Sequence, residues 1–259
     1  MDSDVALIAQ SYRSFALSLR GPASRCDAVL SLLRASRLAL DTWNVCEART
    51  RAFFAHRALH LLAKVLELLA PRLPRAVLYT CAAWLAASLK GAANELANAS
   101  DLYGFAQLED LRAQMLTLRR GWTRSGEQRT HRDALSAATV VQAIFYSIGQ
   151  ANSMIMADRT LGWVLSVRED LVPAIEAFSR GVARAESPEV DPTLLPKLQA
   201  NLLRLLRKSN DASAAATLEE SLRDRYGAAY GALAAALDQF PDPRRHPIFL
   251  PPEPPPTGR

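Results

Sequence analysis

The chain has 259 residues, of which 49% are hydrophobic and 7% aromatic, and its 31 Lys and Arg exceed its 26 Asp and Glu to give a net charge of +5. That length and apolar content are enough to bury a core, which excludes disorder as the default state. The abundance of Ala, Leu and Arg, with no β-branched run beyond Thr139-Val140-Val141, excludes an extensive sheet.

In chain order, the first helical block runs from about Asp4 to Leu19 and is closed by Gly21-Pro22. Ser24 caps a second, Arg25 to Trp43, whose polar side carries Arg34 and Arg37. The third block, Arg49 to Leu69, sorts most cleanly on a helical wheel. Phe54, Leu61, Val65 and Leu68 share an apolar half with other leucines, while Arg49, His56, Arg57, His60, Lys64 and Glu67 lie on an opposite stripe, with Phe53 and Arg51 as the two exceptions. This is the pattern of a basic amphipathic helix, ended by Pro71 and Pro74.

Arg75 to Lys90 reads as a further helix whose uncharged run, Ala76 to Leu89, is too short at 14 residues to span a bilayer. Leu102 to Leu118 reads as another, and the polar stretch 119–133 as a linker. Ala134 to Ala157 then gives 24 uncharged residues, long enough for a membrane span although diluted by Ser136, Gln142 and Asn152. From hydropathy, spanning and buried helix are equally supported.

Helices are expected from Arg159 to Arg184 and from Leu194 to Lys208, separated by the loop Glu186 to Pro192. The tail after Pro241 is proline-rich and is expected to be disordered. The predicted architecture is therefore all-α: amphipathic helices plus one or two membrane-spanning or membrane-embedded helices. It divides into a basic helical region 1–118, a linker 119–133, a helical membrane-associated region 134–240 and a tail 241–259.

Catalytic signatures are lacking. His56 and His60 have the spacing of two metal ligands on one helix face, but the intervening Arg57 opposes a cation and no zincin glutamate accompanies them. Asp101, Glu109 and Asp110 read as polar surface at a helix start. No glycine-rich phosphate loop or nucleophile elbow is present. Cys26, Cys46 and Cys81, odd in number and widely spaced, suggest neither a disulfide framework nor a metal knuckle. Neither enzymatic activity nor a metal or cofactor is expected. The excess basic charge, carried before residue 135, favours an anionic partner. Without a basic tract interleaved with aromatics, nucleic acid is not expected.

Two later segments resemble the peroxin-11 family of peroxisomal membrane-elongation proteins. Leu205-Leu206-Arg207-Lys208-Ser209-Asn210-Asp211 with Ala214-Ala215 is similar to that family's Leu-Leu-Arg-Asn-x-Cys-Asp element. The Gly- and Ala-rich stretch Tyr226 to Leu237 stands where the family carries its C-terminal hydrophobic segment. Ala157-Asp158-Arg159-Thr160-Leu161-Gly162-Trp163 resembles the Asp-His-x-x-Trp element, with Arg159 in place of His and Trp one residue later. Near the N-terminus, Arg25 to Leu33 is similar to the Arg-Asp-Lys opening of the first helix.

The resemblance implies a protein of the peroxisomal or glycosomal membrane that binds and remodels it to promote elongation, proliferation and fission of the organelle. It further implies a homo-oligomer, with the organelle fission machinery as a partner. On that reading Arg34, Arg37, Arg49, Arg57 and Lys64 hold anionic lipid while Phe54, Leu61, Val65 and Leu68 enter the leaflet. The alternative is a soluble helical adaptor or assembly subunit whose apolar faces bury against one another. The opening Asp2 and Asp4 disfavour a secretory signal or mitochondrial presequence. The closing Thr257-Gly258-Arg259 is not the tripeptide of soluble peroxisomal import.

Overall fold

A computed structural model describes residues 75–118, 124–190 and 194–231. Among them the structure is entirely helical: α1 (Arg75–Asn98), α2 (Leu102–Leu118), α3 (Arg124–Ile148), α4 (Ala151–Val167), α5 (Leu171–Ala185), α6 (Leu194–Lys208) and α7 (Ala212–Tyr226), followed by a 3-10 turn, Gly227–Ala229. The chain divides into two compact units, 1–127 and 128–259, so that the first four residues of α3 belong to one and the remainder to the other.

In the first unit α1 and α2 pack as a helical hairpin. Ala82, Leu85, Ala86, Leu89, Ala93 and Leu96 are buried at the three- and four-residue intervals of one helical face. The second unit is built on consecutive contacts of α4 with α5, α5 with α6, and α6 with α7. Its core gathers Ile155 and Trp163 of α4, Phe178 of α5, Leu198, Leu203 and Leu205 of α6, and Leu222 of α7. Each of these large side chains contributes about 1.5–3 kcal/mol by leaving water.

One kind of corner recurs at three of the turns. After α1, α4 and α6 a non-glycine residue takes positive φ, Ser100 at 60°, Glu169 at 69° and Asn210 at 59°. Each is followed by an aspartate whose N–H reaches back five residues: Asp101 to the Leu96 carbonyl, Asp170 to Leu165 and Asp211 to Leu206. This is the bond that closes a Schellman-type helix end. Asp101 and Asp211 then cap the next helix, accepting from the N–H of Gly104 at 2.9 Å and of Ala214 at 3.1 Å. A corner of this type ends one helix and starts the next within a few residues and without proline.

Several sequence expectations change. The uncharged stretch Ala134 to Ala157 falls in two helices, not one, because Gly149 at φ 76° ends α3 and α4 starts at Ala151 after the extended N-cap residue Gln150. No helix among the described residues is long and apolar enough to cross a membrane, so of the two readings of Ala134 to Ala157 the spanning one is not met. Residues 124–133, expected as linker, form the first part of α3. The helix expected from Arg159 to Arg184 is interrupted at Arg168-Glu169-Asp170. Glu109 and Asp110 are not polar surface: both are buried, Glu109 held by the Arg112 guanidinium at 2.6–2.9 Å and Asp110 by the Gln114 amide at 2.9 Å. Helices α2 and α6 have the expected limits.

Candidate functional site: a buried aspartate between α3, α4 and α5

Arg34, Arg37, Arg49, Phe54, Arg57, Leu61, Lys64, Val65 and Leu68, together with the His56/His60 pair, lie outside the described residues. Within them, the largest convergence of polar side chains is in the second unit, around Asp158 of α4. Its side chain is completely removed from solvent. An isolated buried carboxylate would be costly, so its partners must replace the lost water.

Four residues do so. Oδ1 accepts from Gln142 Nε2 at 2.8 Å, from the Tyr146 hydroxyl at 2.8 Å and from Arg180 Nε at 3.4 Å. Oδ2 accepts from Arg184 Nη1 at 2.8 Å and again from the Tyr146 hydroxyl at 2.9 Å. Gln142 and Tyr146 stand one turn apart on α3, and Arg180 and Arg184 one turn apart on α5, so each helix presents an i, i+4 pair to the carboxylate. The Arg184 guanidinium also lies over the Tyr146 ring, 4.6 Å from its centroid. Burial, reinforced by the bond to Asp158, raises the Tyr146 phenol above its usual pKa, so it remains a donor through the physiological range.

The close approach of the helices depends on two glycines. A Cβ on Gly181 would stand 3.3 Å from Leu198 and 3.6 Å from the Asp158 Cβ, so α5 lies against both its neighbours there. A Cβ on Gly162 would fall 2.6 Å from the Phe178 ring, which itself meets Trp163 edge to face at 6.2 Å. The guanidinium of Arg204 covers Trp163 at 5.3 Å. The chain from Asp158 to Trp163 is thus fixed at one end by a polar hub and at the other by an aromatic cluster.

Chemically the hub is a hydrogen-bonded ion cluster with two cations on one anion. Asp158 is enclosed by donors, which leaves it no route to act on a substrate, while Arg180 and Arg184 remain 41% and 29% exposed. The sequence alone does not identify these partners: in it Asp158 stands only at the end of the uncharged stretch and within the family-like element. The available signal was the two i, i+4 polar pairs, Gln142/Tyr146 and Arg180/Arg184.

No protein-family model matches the chain, and no curated protein sequence matches it. Among solved structures it is similar to the crystal structure of BtubC (BKLC) from P. vanneervenii, with 18% identity over 95% of this chain and 97% of that chain and a TM-score of 0.49. That likeness is too slight to define a shared fold.

Proposed function

We propose that this protein binds and remodels an organellar membrane of the peroxisomal or glycosomal type, promoting elongation and fission in the manner of the peroxin-11 family it resembles. Bilayer contact is assigned to the basic amphipathic segments Arg25 to Trp43 and Arg49 to Leu69, entering one leaflet from the side, and not to Ala134–Ala157. Insertion into one leaflet expands it relative to the other and bends the bilayer. Homo-oligomerisation would concentrate the effect.

The observation that carries this reading is the position of the two family-like elements. Each is built on an aspartate that fixes the helical architecture, Asp158 by joining three helices and Asp211 by capping α7 directly after the αL residue Asn210. Leu205 and Leu206 of the second element lie in the core, as does Trp163 of the first. The resemblance therefore falls on residues that specify how helices pack and turn, which composition alone would not arrange. A membrane-facing role is also compatible with α1, where Thr80, Trp84, Ala87 and Gly91 form an exposed, uncharged stripe and Trp84 is 59% exposed.

One observation favours a second reading, a helical adaptor or assembly subunit acting away from membranes. The apolar faces of α5 and α6 are directed into a shared core through Phe178, Leu198 and Leu203. Tagging the full chain and extracting native membranes with carbonate separates the two. The membrane reading predicts coincidence with a peroxisomal or glycosomal marker, retention in the membrane fraction and elongated organelles on overproduction. Diffuse signal with release into the soluble fraction and unchanged organelle shape would establish the adaptor reading instead.

A further inference from the structure

We propose that Arg180 and Arg184 form a binding site for a phosphate monoester on the solvent side of α5. The hub carries two guanidiniums and one carboxylate, which leaves an uncompensated positive charge at a place where both cations reach the surface. Asp158 is the one carboxylate ion-paired with either arginine among the described residues. Arg180 donates to it through Nε, at 3.4 Å, and also makes a hydrogen bond with Tyr146, so that only part of its guanidinium fork is left for a ligand. Arg184 uses only Nη1, for Asp158 at 2.8 Å and the Arg180 carbonyl at 3.4 Å, and so retains Nε and Nη2.

These remaining donors are held in place before any ligand arrives. Asp158 and the Tyr146 ring fix the Arg184 guanidinium, and α5 sets Arg180 one turn away on the same face. Two tethered guanidinium forks side by side suit the several oxygens of a tetrahedral dianion, and little side-chain freedom remains to be lost on binding. A solvated pair of surface arginines would have neither the buried anchor nor the ring beneath it. The site belongs to the second unit and stands whether or not the N-terminal segments bind lipid.

The phosphate monoester could be free in solution or part of a lipid headgroup, and the test separates these sources. Full-length protein is titrated calorimetrically with inorganic phosphate at low ionic strength, alongside Arg180→Gln, Arg180→Lys and, as a charge-matched control, Arg223→Gln. The site predicts saturable binding that falls at least tenfold in Arg180→Gln with the melting temperature preserved, falls less in Arg180→Lys, and is unchanged in Arg223→Gln. Should Arg180→Gln be unstable, Arg180→Lys, which keeps the charge and loses the fork, carries the comparison against Arg223→Gln. Flotation with phosphatidylcholine vesicles containing either phosphatidic acid or phosphatidylserine at equal charge then assigns the source. A preference for phosphatidic acid that Arg180→Gln abolishes places the ligand on a lipid; weakened inorganic phosphate binding with unaltered flotation places it in solution. Unsaturable phosphate uptake, or equal losses in Arg180→Gln and Arg223→Gln, would overturn the site.

Discussion

Asp158 of α4 and Arg184 of α5 meet at 2.8 Å although 26 residues separate them, and the same carboxylate reaches back to Tyr146 on α3. This pairing closes three helices on one charge. Asp158→Ala removes the acceptor and leaves two guanidiniums facing each other. Because both arginines can turn toward water, the cost is set at about 2–4 kcal/mol, below that of a fully enclosed pair. Urea denaturation checks it as a lowered midpoint, and Asp158→Asn, which retains shape without charge, should fall between the two.

Gly162 is predicted to tolerate no side chain. The Cβ of Gly162→Ala would lie 2.6 Å and 2.7 Å from two carbons of the Phe178 ring, which is buried and braced by Trp163. Overpacking of this kind costs about 1–3 kcal/mol. In a double-mutant cycle with Phe178→Leu, the penalty of Gly162→Ala should shrink, since the smaller side chain makes room; equal penalties in both backgrounds would show that the ring is not the obstacle.

The recurring corner offers a change in the stabilising direction. Glu169 holds φ at 69°, a conformation glycine adopts without the steric cost borne by other residues. Glu169→Gly forfeits the exposed pair with Lys208 at 3.3 Å, which contributes little at a surface. A net gain of about 0.5 kcal/mol is expected, seen as a raised thermal midpoint. At the equivalent place after α6, Asp211→Ala should cost about 1 kcal/mol by removing the cap on Ala214.

Acid should weaken the second unit through His131. The imidazole is buried on α3, its Nε2 has no hydrogen-bond partner, and burial first and Arg168 second lower its pKa below 6.5, with Asp170 opposing. A base whose folded pKa is depressed binds protons more readily unfolded, so its contribution to stability is complete above pH 6.5 and lost as pH falls toward and through the folded pKa. Thermal midpoints between pH 7.5 and 5.5 should decline in the native protein and decline less in His131→Gln. Identical slopes would remove His131 as the cause.

How much of this was visible in the sequence differs from element to element. Helices α2 and α6 were legible because charged or turn residues mark both ends, as Lys208-Ser209-Asn210-Asp211 does after α6. The corner at Gly149-Gln150 was not, since it sits inside an uncharged run with no proline or charge to mark the reversal. Nor was the one at Glu169, because a glutamate in the left-handed region carries no propensity signal. The hub was legible only as isolated pieces. Local pattern shows that Gln142, Tyr146, Arg180 and Arg184 form two i, i+4 pairs, but nothing local tells that both converge on Asp158. The burial of Glu109 and Asp110 is hidden for a similar reason: adjacent carboxylates usually mark a solvated turn, and here α2 itself supplies Arg112 to Glu109 and Gln114 to one oxygen of Asp110.

The central claim is tested most directly by flotation of full-length protein with phosphatidylcholine–phosphatidylserine vesicles, followed by electron microscopy of the bound fraction. The account predicts flotation that weakens with salt, deformation of vesicles into tubules, and loss of both when Arg49, Arg57 and Lys64 are replaced together by Glu. Native protein that stays at the bottom of the gradient, or floats equally well after the triple replacement and leaves the vesicles round, would contradict it.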